Sequence, residues 1–295
     1  MVSARQGGAV AENGPVTAAA ILLALASAAT WGIADFSGGL VSRRLPTIAV
    51  TVVSQAAGFA ALLIALGIHG GAIDGRSFVI GIAAGLGGGS GLAAFYKALS
   101  LGTMSIVSPL VACGAVVPFA IAIGTGERPA MIGLAGAAIA LTGAVMASAE
   151  ERKVAVPERV RAISLAVAAA VALGLFTYFL GLGSREGSPL STLVGARVGS
   201  LGFLVGLGLI RRAPLSVGRA SLLPVAAVGL CDIAANALFA LASGRGLLAL
   251  VSVLGSLYPV MTLILARFIL GERLTRLQLG GIGIALVGVA ALSSG

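Results

Sequence analysis

The chain has 295 residues, 58% of them hydrophobic and 10% charged, with mean hydropathy +1.10 and a net charge of +9. Soluble domains carry about 25% charged residues, so this composition excludes a water-soluble globular domain and points to an integral membrane protein. The basic balance does not indicate nucleic acid, because no basic stretch interleaved with aromatics is long enough to follow a strand; cations kept at cytoplasmic helix ends account for it.

Residues 1–16 are polar and rich in Gly and Ala, and read as a tail. The run after them looks like a signal peptide ending at Ala26-Ser27-Ala28, but it continues to Leu40 and is read as a span. Ten apolar runs follow one another, at about 17–41, 47–68, 77–100, 103–125, 129–148, 162–183, 189–210, 220–243, 246–270 and 274–293. Each suits a helix crossing hydrocarbon, where the backbone must satisfy its own hydrogen bonds, and none alternates like a barrel strand. The dense charge run Ala149–Ala162 reads as a solvated linker between spans five and six. Cys113 and Cys231 fall inside spans, which argues against a disulfide framework or a metal cluster.

The corner Gly126-Glu127-Arg128 recurs as Gly271-Glu272-Arg273. Aligning Gly126–Met146 with Gly271–Ala291, 145 residues on, gives 9 identities in 21 pairs. Five spans per copy is an odd number, so the second copy enters the membrane from the opposite face. The expected fold is all-α and integral to the membrane, with ten transmembrane helices as two five-helix inverted repeats. The expected divisions are a tail at 1–16, a first repeat at 17–148, a linker at 149–161 and a second repeat at 162–293. Twelve Lys and Arg fall on the linker side and five on the other, which places the linker in the cytoplasm and both termini outside.

Three stretches carry a family resemblance: F-Y-K-A-L-S-L-G-T-M-S-I-V-S-P-L at Phe95–Leu110, Trp31-Gly32 with Pro46 beyond it, and S-L-Y-P with G-E-R in the second half. Over about residues 18–293 the chain resembles EamA-type members of the drug/metabolite transporter superfamily. The resemblance implies an inverted-repeat carrier that moves small metabolites, often exporting amino acids or related compounds, and it is commonly drawn with both termini cytoplasmic. Two positions depart from it. Gly114 stands where the second copy has Pro259, with Pro118 four residues later, and Asp35 stands where the family is commonly apolar or amide-bearing.

An ionisable group at mid-membrane costs roughly 2.5–3.5 kcal/mol on insertion scales, so each such group needs a reason. Arg197 and Asp232 lie near the middle of spans seven and eight, with Asn236 one turn beyond Asp232. Either they line a cavity, with Arg197 on a substrate carboxylate and Asp232 on an amine or a coupling proton, or they pair and brace their helices. Asp35 is the other proton-coupling candidate. Trp31, Gln55, Tyr178 and Tyr258 complete the substrate-binding candidates. Tyr96 reads as an interface anchor, Lys97 and Arg267 as snorkelling side chains, His69 as incidental, and both Glu-Arg corners as structural. Gly81, Gly85 and Gly89 form a small-residue ridge on span three, as do Gly133, Gly136, Ala140 and Gly143 on span five and Gly281, Ala285 and Gly288 on span ten. Pro109, Pro118, Pro224 and Pro259 lie inside spans and can kink them. The run Gly85–Gly91 lacks a nucleotide-loop pattern.

These readings make the chain a secondary active transporter of the cell membrane, moving a small amphipathic metabolite outward by alternating access. No catalytic residue, metal site or cofactor is expected. The expected partners are the substrate and the lipid bilayer, with no nucleic acid and with a homodimer left open. A membrane scaffold or receptor and an intramembrane lipid-modifying enzyme are the alternatives.

Overall fold

A computed structural model describes residues 17–42, 44–69, 72–100, 110–148, 156–269 and 275–293. Among them all regular structure is helical. In chain order the helices are α1 (Ala18–Ser42), α2 (Thr47–His69), α3 (Gly75–Ser100), α4 (Leu110–Gly124), α5 (Met131–Ser148), α6 (Val156–Glu186), α7 (Pro189–Ile210), α8 (Arg219–Ser243), α9 (Leu248–Ile269) and α10 (Arg276–Ser293). Seven of these (α1, α2, α3, α6, α7, α8 and α9) are long and apolar enough to cross a membrane; α4, α5 and α10 are shorter apolar helices. The 1–16 tail, Pro109, most of the linker and the Glu272–Arg273 corner lie outside the described residues.

Local chemistry sets several helix ends. Ser188 caps α7, its side chain accepting from the Ser191 N–H at 3.2 Å, with Pro189 at the first helical position, where a missing N–H costs nothing. Asp74 caps α3 in the same way, taking the Ser77 N–H at 2.8 Å. Bonds from the Ser77 side chain and backbone, helped by the nearby Arg76 charge, hold the Asp74 carboxyl below its ordinary range. α6 begins at Val156, six residues ahead of the expected span. Pro157 suits a first helical turn, so part of the expected linker is helical.

Two helices are broken by design of their sequence. α4 carries a 3-10 turn at Cys113–Ala115, and α9 is interrupted at Ser256–Leu257. Pro118 and Pro259 have no N–H to give to the carbonyls of Gly114 and Gly255, four residues earlier in each case. The expected span ran over 246–270 with Pro259 named as able to kink it, and the break falls just ahead of that proline.

Packing follows the glycines. Gly81, Gly85 and Gly89 of α3 lie against Thr192, Ala196 and Ser200 of α7, so closely that a Cβ at Gly85 would meet the Ala196 backbone. Gly195 and Gly199 answer from α7 against Phe78 and Ile82. With no hydrophobic drive between helices in lipid, such close approach supplies the dispersion contacts that hold them. α5 and α10 pack antiparallel: Ala140 meets Gly288, Gly143 meets Ala285, and Ala147 meets Gly281. The other main pairings are α3 with α6, α1 with α8, α2 with α7 and α8, α4 with the first part of α9, and α1 with its second part. The best-buried large side chains are Phe239, Leu180, Leu204, Leu248 and Leu254.

Glu127 joins three elements at the end of α4. Gly126 turns the chain with φ +117°, a conformation that favours glycine, and delivers Glu127 to the start of α9. Its carboxylate oxygens accept from the Leu248 and Ala249 N–H groups, each at 2.9 Å, and it also pairs with Arg185 near the end of α6. The Glu-Arg corner expected to be structural therefore caps a helix of the other half.

Candidate functional site

Arg197 stands near the middle of α7, held between glycine-lined contacts with α3, and is 4% exposed. Its Nη2 donates to Asp232 Oδ2 of α8 at 2.6 Å, and its Nη1 donates to Gln55 Oε1 of α2. Gln55 Nε2 donates to the same Asp232 oxygen at 3.2 Å, and Ser200, one turn beyond Arg197, donates to Gln55 Oε1 at 2.9 Å. Asn236 Nδ2 reaches Asp232 Oδ2 at 3.3 Å, and its Oδ1 accepts from Trp31 Nε1 of α1 at 3.1 Å. One connected network thus links α1, α2, α7 and α8. A buried charge is tolerable when it is paired and hydrogen-bonded, and here Arg197 is paired with Asp232 through Nη2 and bonded to Gln55 through Nη1.

This network forms one wall of a cavity whose empty volume, including its mouth, is about 1060 Å³. Trp31, Asp35, Gln55, Arg197, Asp232, Asn236 and Tyr258, seven of the eight sequence-level candidates, line it. Tyr178 does not. It packs with its neighbour Phe179, ring centroids 5.4 Å apart, against the buried core. Trp31 is set by Phe239, at 5.5 Å between centroids, and by the close passage of Gly255. Asp35 accepts no hydrogen bond from a described residue; the nearby Thr30 hydroxyl bonds the Ala26 carbonyl. The apolar part of the lining comes from Leu92 and Phe95 of α3, Val111 of α4, and Leu173 and Phe176 of α6. Gly114 and Gly255, whose carbonyls lose their helix donors to proline, also line it.

Sequence reasoning missed Ser200 and Ser252. Ser200 lies three residues from Arg197, on the same helical face, and that spacing is a usable signal. Ser252 opens the S-V-L-G-S-L-Y-P stretch, where proline and tyrosine draw the eye first. The residue lines the cavity, and its buried hydroxyl has no partner among the described residues. Lys97 and Arg267 are exposed near helix ends.

Residues 160–294 match the EamA-like transporter family. The fold is similar to that of a solved crystal structure with TM-score 0.75 and 20% identity, covering 92% of this chain and 95% of the other. At that identity the likeness concerns the fold. No curated protein matches the chain significantly. This is a membrane protein whose second half, at 160–294, matches the EamA-like transporter family, a family of the drug/metabolite transporter superfamily.

Proposed function

We propose that the chain is a secondary active transporter built as two five-helix inverted repeats, exporting a small amphipathic compound through its central cavity by alternating access. One observation carries the reading. α5 and α10 bear the repeated corner motif and run antiparallel to each other, through contacts that map onto themselves under the 145-residue shift: Ala140 with Gly288, and Gly143 with Ala285. The pairings support it further. Exchanging α1–α5 for α6–α10 turns α3 with α7 into α8 with α2, and α3 with α6 into α8 with α1, both of which are present; α4 with α9 is its own counterpart.

Such an arrangement supplies a mechanism. Two bundles of nearly equal energy can exchange conformations, and a cavity that both line then changes the face it serves. The cavity draws Leu92, Phe95 and Val111 from the first half and Arg197, Asp232 and Asn236 from the second. Its polar wall suits the head of a small amphipathic molecule and its apolar wall the body. Asp35 and Asp232 are the groups able to carry a coupling proton. Flux measured in proteoliposomes with and without a pH gradient tests this version: a gradient should accelerate uptake against the proton flow, and uptake indifferent to the gradient removes proton coupling.

A further inference from the structure

The groups the protein has already satisfied leave a distinctive remainder in the cavity. Arg197 spends Nη1 on Gln55 and Nη2 on Asp232, and its side chain is 5% exposed, against 26% for Asp232. It is therefore poorly placed to receive a substrate carboxylate. On Asp232 all three donors converge on Oδ2, and Oδ1 accepts from no described residue. The Asp35 carboxylate faces the same space and likewise takes no described donor. Ser252 differs from Ser184, Ser243 and Ser256, whose hydroxyls fold back onto their own helices. Its Oγ has no partner among the described residues, although the residue is only 4% exposed.

The unspent atoms are thus the Asp35 carboxylate and Asp232 Oδ1, which only accept when ionised, and the Ser252 hydroxyl, which can accept as well as donate. The charges agree. Among the described residues, the ionisable side chains of Asp, Glu, Lys, Arg or His type in the lining are Asp35, Asp232 and Arg197, two carboxylates against one guanidinium. An uncompensated carboxylate at membrane depth is costly, and a cation bound beside it offsets that cost. We infer that the cavity takes an amphipathic monocation, its ammonium N–H groups donated to Asp35, Asp232 and Ser252 and its apolar body laid against Phe95, Phe176 and Leu173. The inference rests on the transporter reading for naming this molecule as cargo, and it selects ammonium over carboxylate as the recognised head.

The chain's single tryptophan, Trp31, lines the cavity and reports on it directly. The protein in lipid nanodiscs is titrated with three probes of matched body, phenethylammonium, 2-phenylethanol and 3-phenylpropanoate, following Trp31 fluorescence. Charge-assisted hydrogen bonds predict that the ammonium binds about tenfold or more tighter than either other probe. Asp35→Asn should remove most of that advantage, and Ser252→Ala a smaller part of it. Carboxylate or alcohol binding as tightly as the ammonium, or an ammonium titration without response, overturns the inference. This order is read on the unsubstituted protein, so it holds even if a variant fails to fold. Flux of the same probes in proteoliposomes separates the two proposals. Ammonium-selective binding without flux supports the cation site and sinks the transporter reading, whereas flux that prefers the carboxylate does the reverse.

Discussion

Asp232 anchors the polar wall because three donors from two neighbouring helices and its own meet on one of its oxygens. Removing Arg197 leaves that carboxylate without its ion-pair partner, and breaking a buried pair from one side typically costs about 3–5 kcal/mol. Arg197→Gln should therefore lower stability in detergent by about that amount. Adding Asp232→Asn should restore most of the loss, since the orphaned charge goes with it. Thermal unfolding of the single and double variants checks this; strictly additive losses would show that the two side chains do not depend on each other. The sequence already revealed these residues by depth, because a charge in the middle of an apolar run is conspicuous. What it hid was partnership. Gln55 lies 142 residues from Arg197 and 177 from Asp232, and only the folded helices bring them together. Ser252 was hidden for another reason: most helical serines bond their own backbone, so a serine in an apolar run carries no functional mark.

At the scale of elements, glycine position decides which faces are interfaces. A side chain at Gly143 would enter the Ala285 backbone, whereas a Cβ at Gly283 meets nothing within 4 Å. Gly143→Val should cost about 1–3 kcal/mol by overpacking the α5–α10 seam. Gly283→Ala should be neutral or slightly stabilising through helix propensity. Equal effects of the two, measured by thermal unfolding, would remove the seam from the account. The Glu127 cap gives a second contrast. Glu127→Ala leaves the Leu248 and Ala249 N–H groups and Arg185 without their shared acceptor. Loss of a cap costs about 0.5–2 kcal/mol, so unfolding should begin at lower temperature, while Arg128→Ala, which among the described residues removes a 3.5 Å bond to the Ile123 carbonyl, should change little. Apolar length located most helices well: 189–210 and 47–68 agree with α7 and α2 to within a residue. The early start of α6 escaped it because the helix begins in a charged stretch, and the break in α9 because hydropathy is blind to a lost backbone donor.

For the whole molecule, the sequence showed the 145-residue spacing and the shared corner on which the proposed repeat rests, while the pairing of helices between the halves was not legible there. Helices of one half pair mainly with helices of the other, α3 with α6 and α7, α8 with α1 and α2, so neither half encloses the cavity alone. That arrangement makes the cavity wall depend on how the halves sit against each other, which is what alternating access requires. The most direct measurement introduces Ser256→Cys, a cavity-lining position, into a chain with Cys113 and Cys231 replaced by alanine. A membrane-impermeant thiol reagent is then applied to vesicles of each orientation. The account predicts modification from both faces, with each face protected in turn as a substrate gradient is reversed. Reactivity confined to one face under every gradient would contradict it.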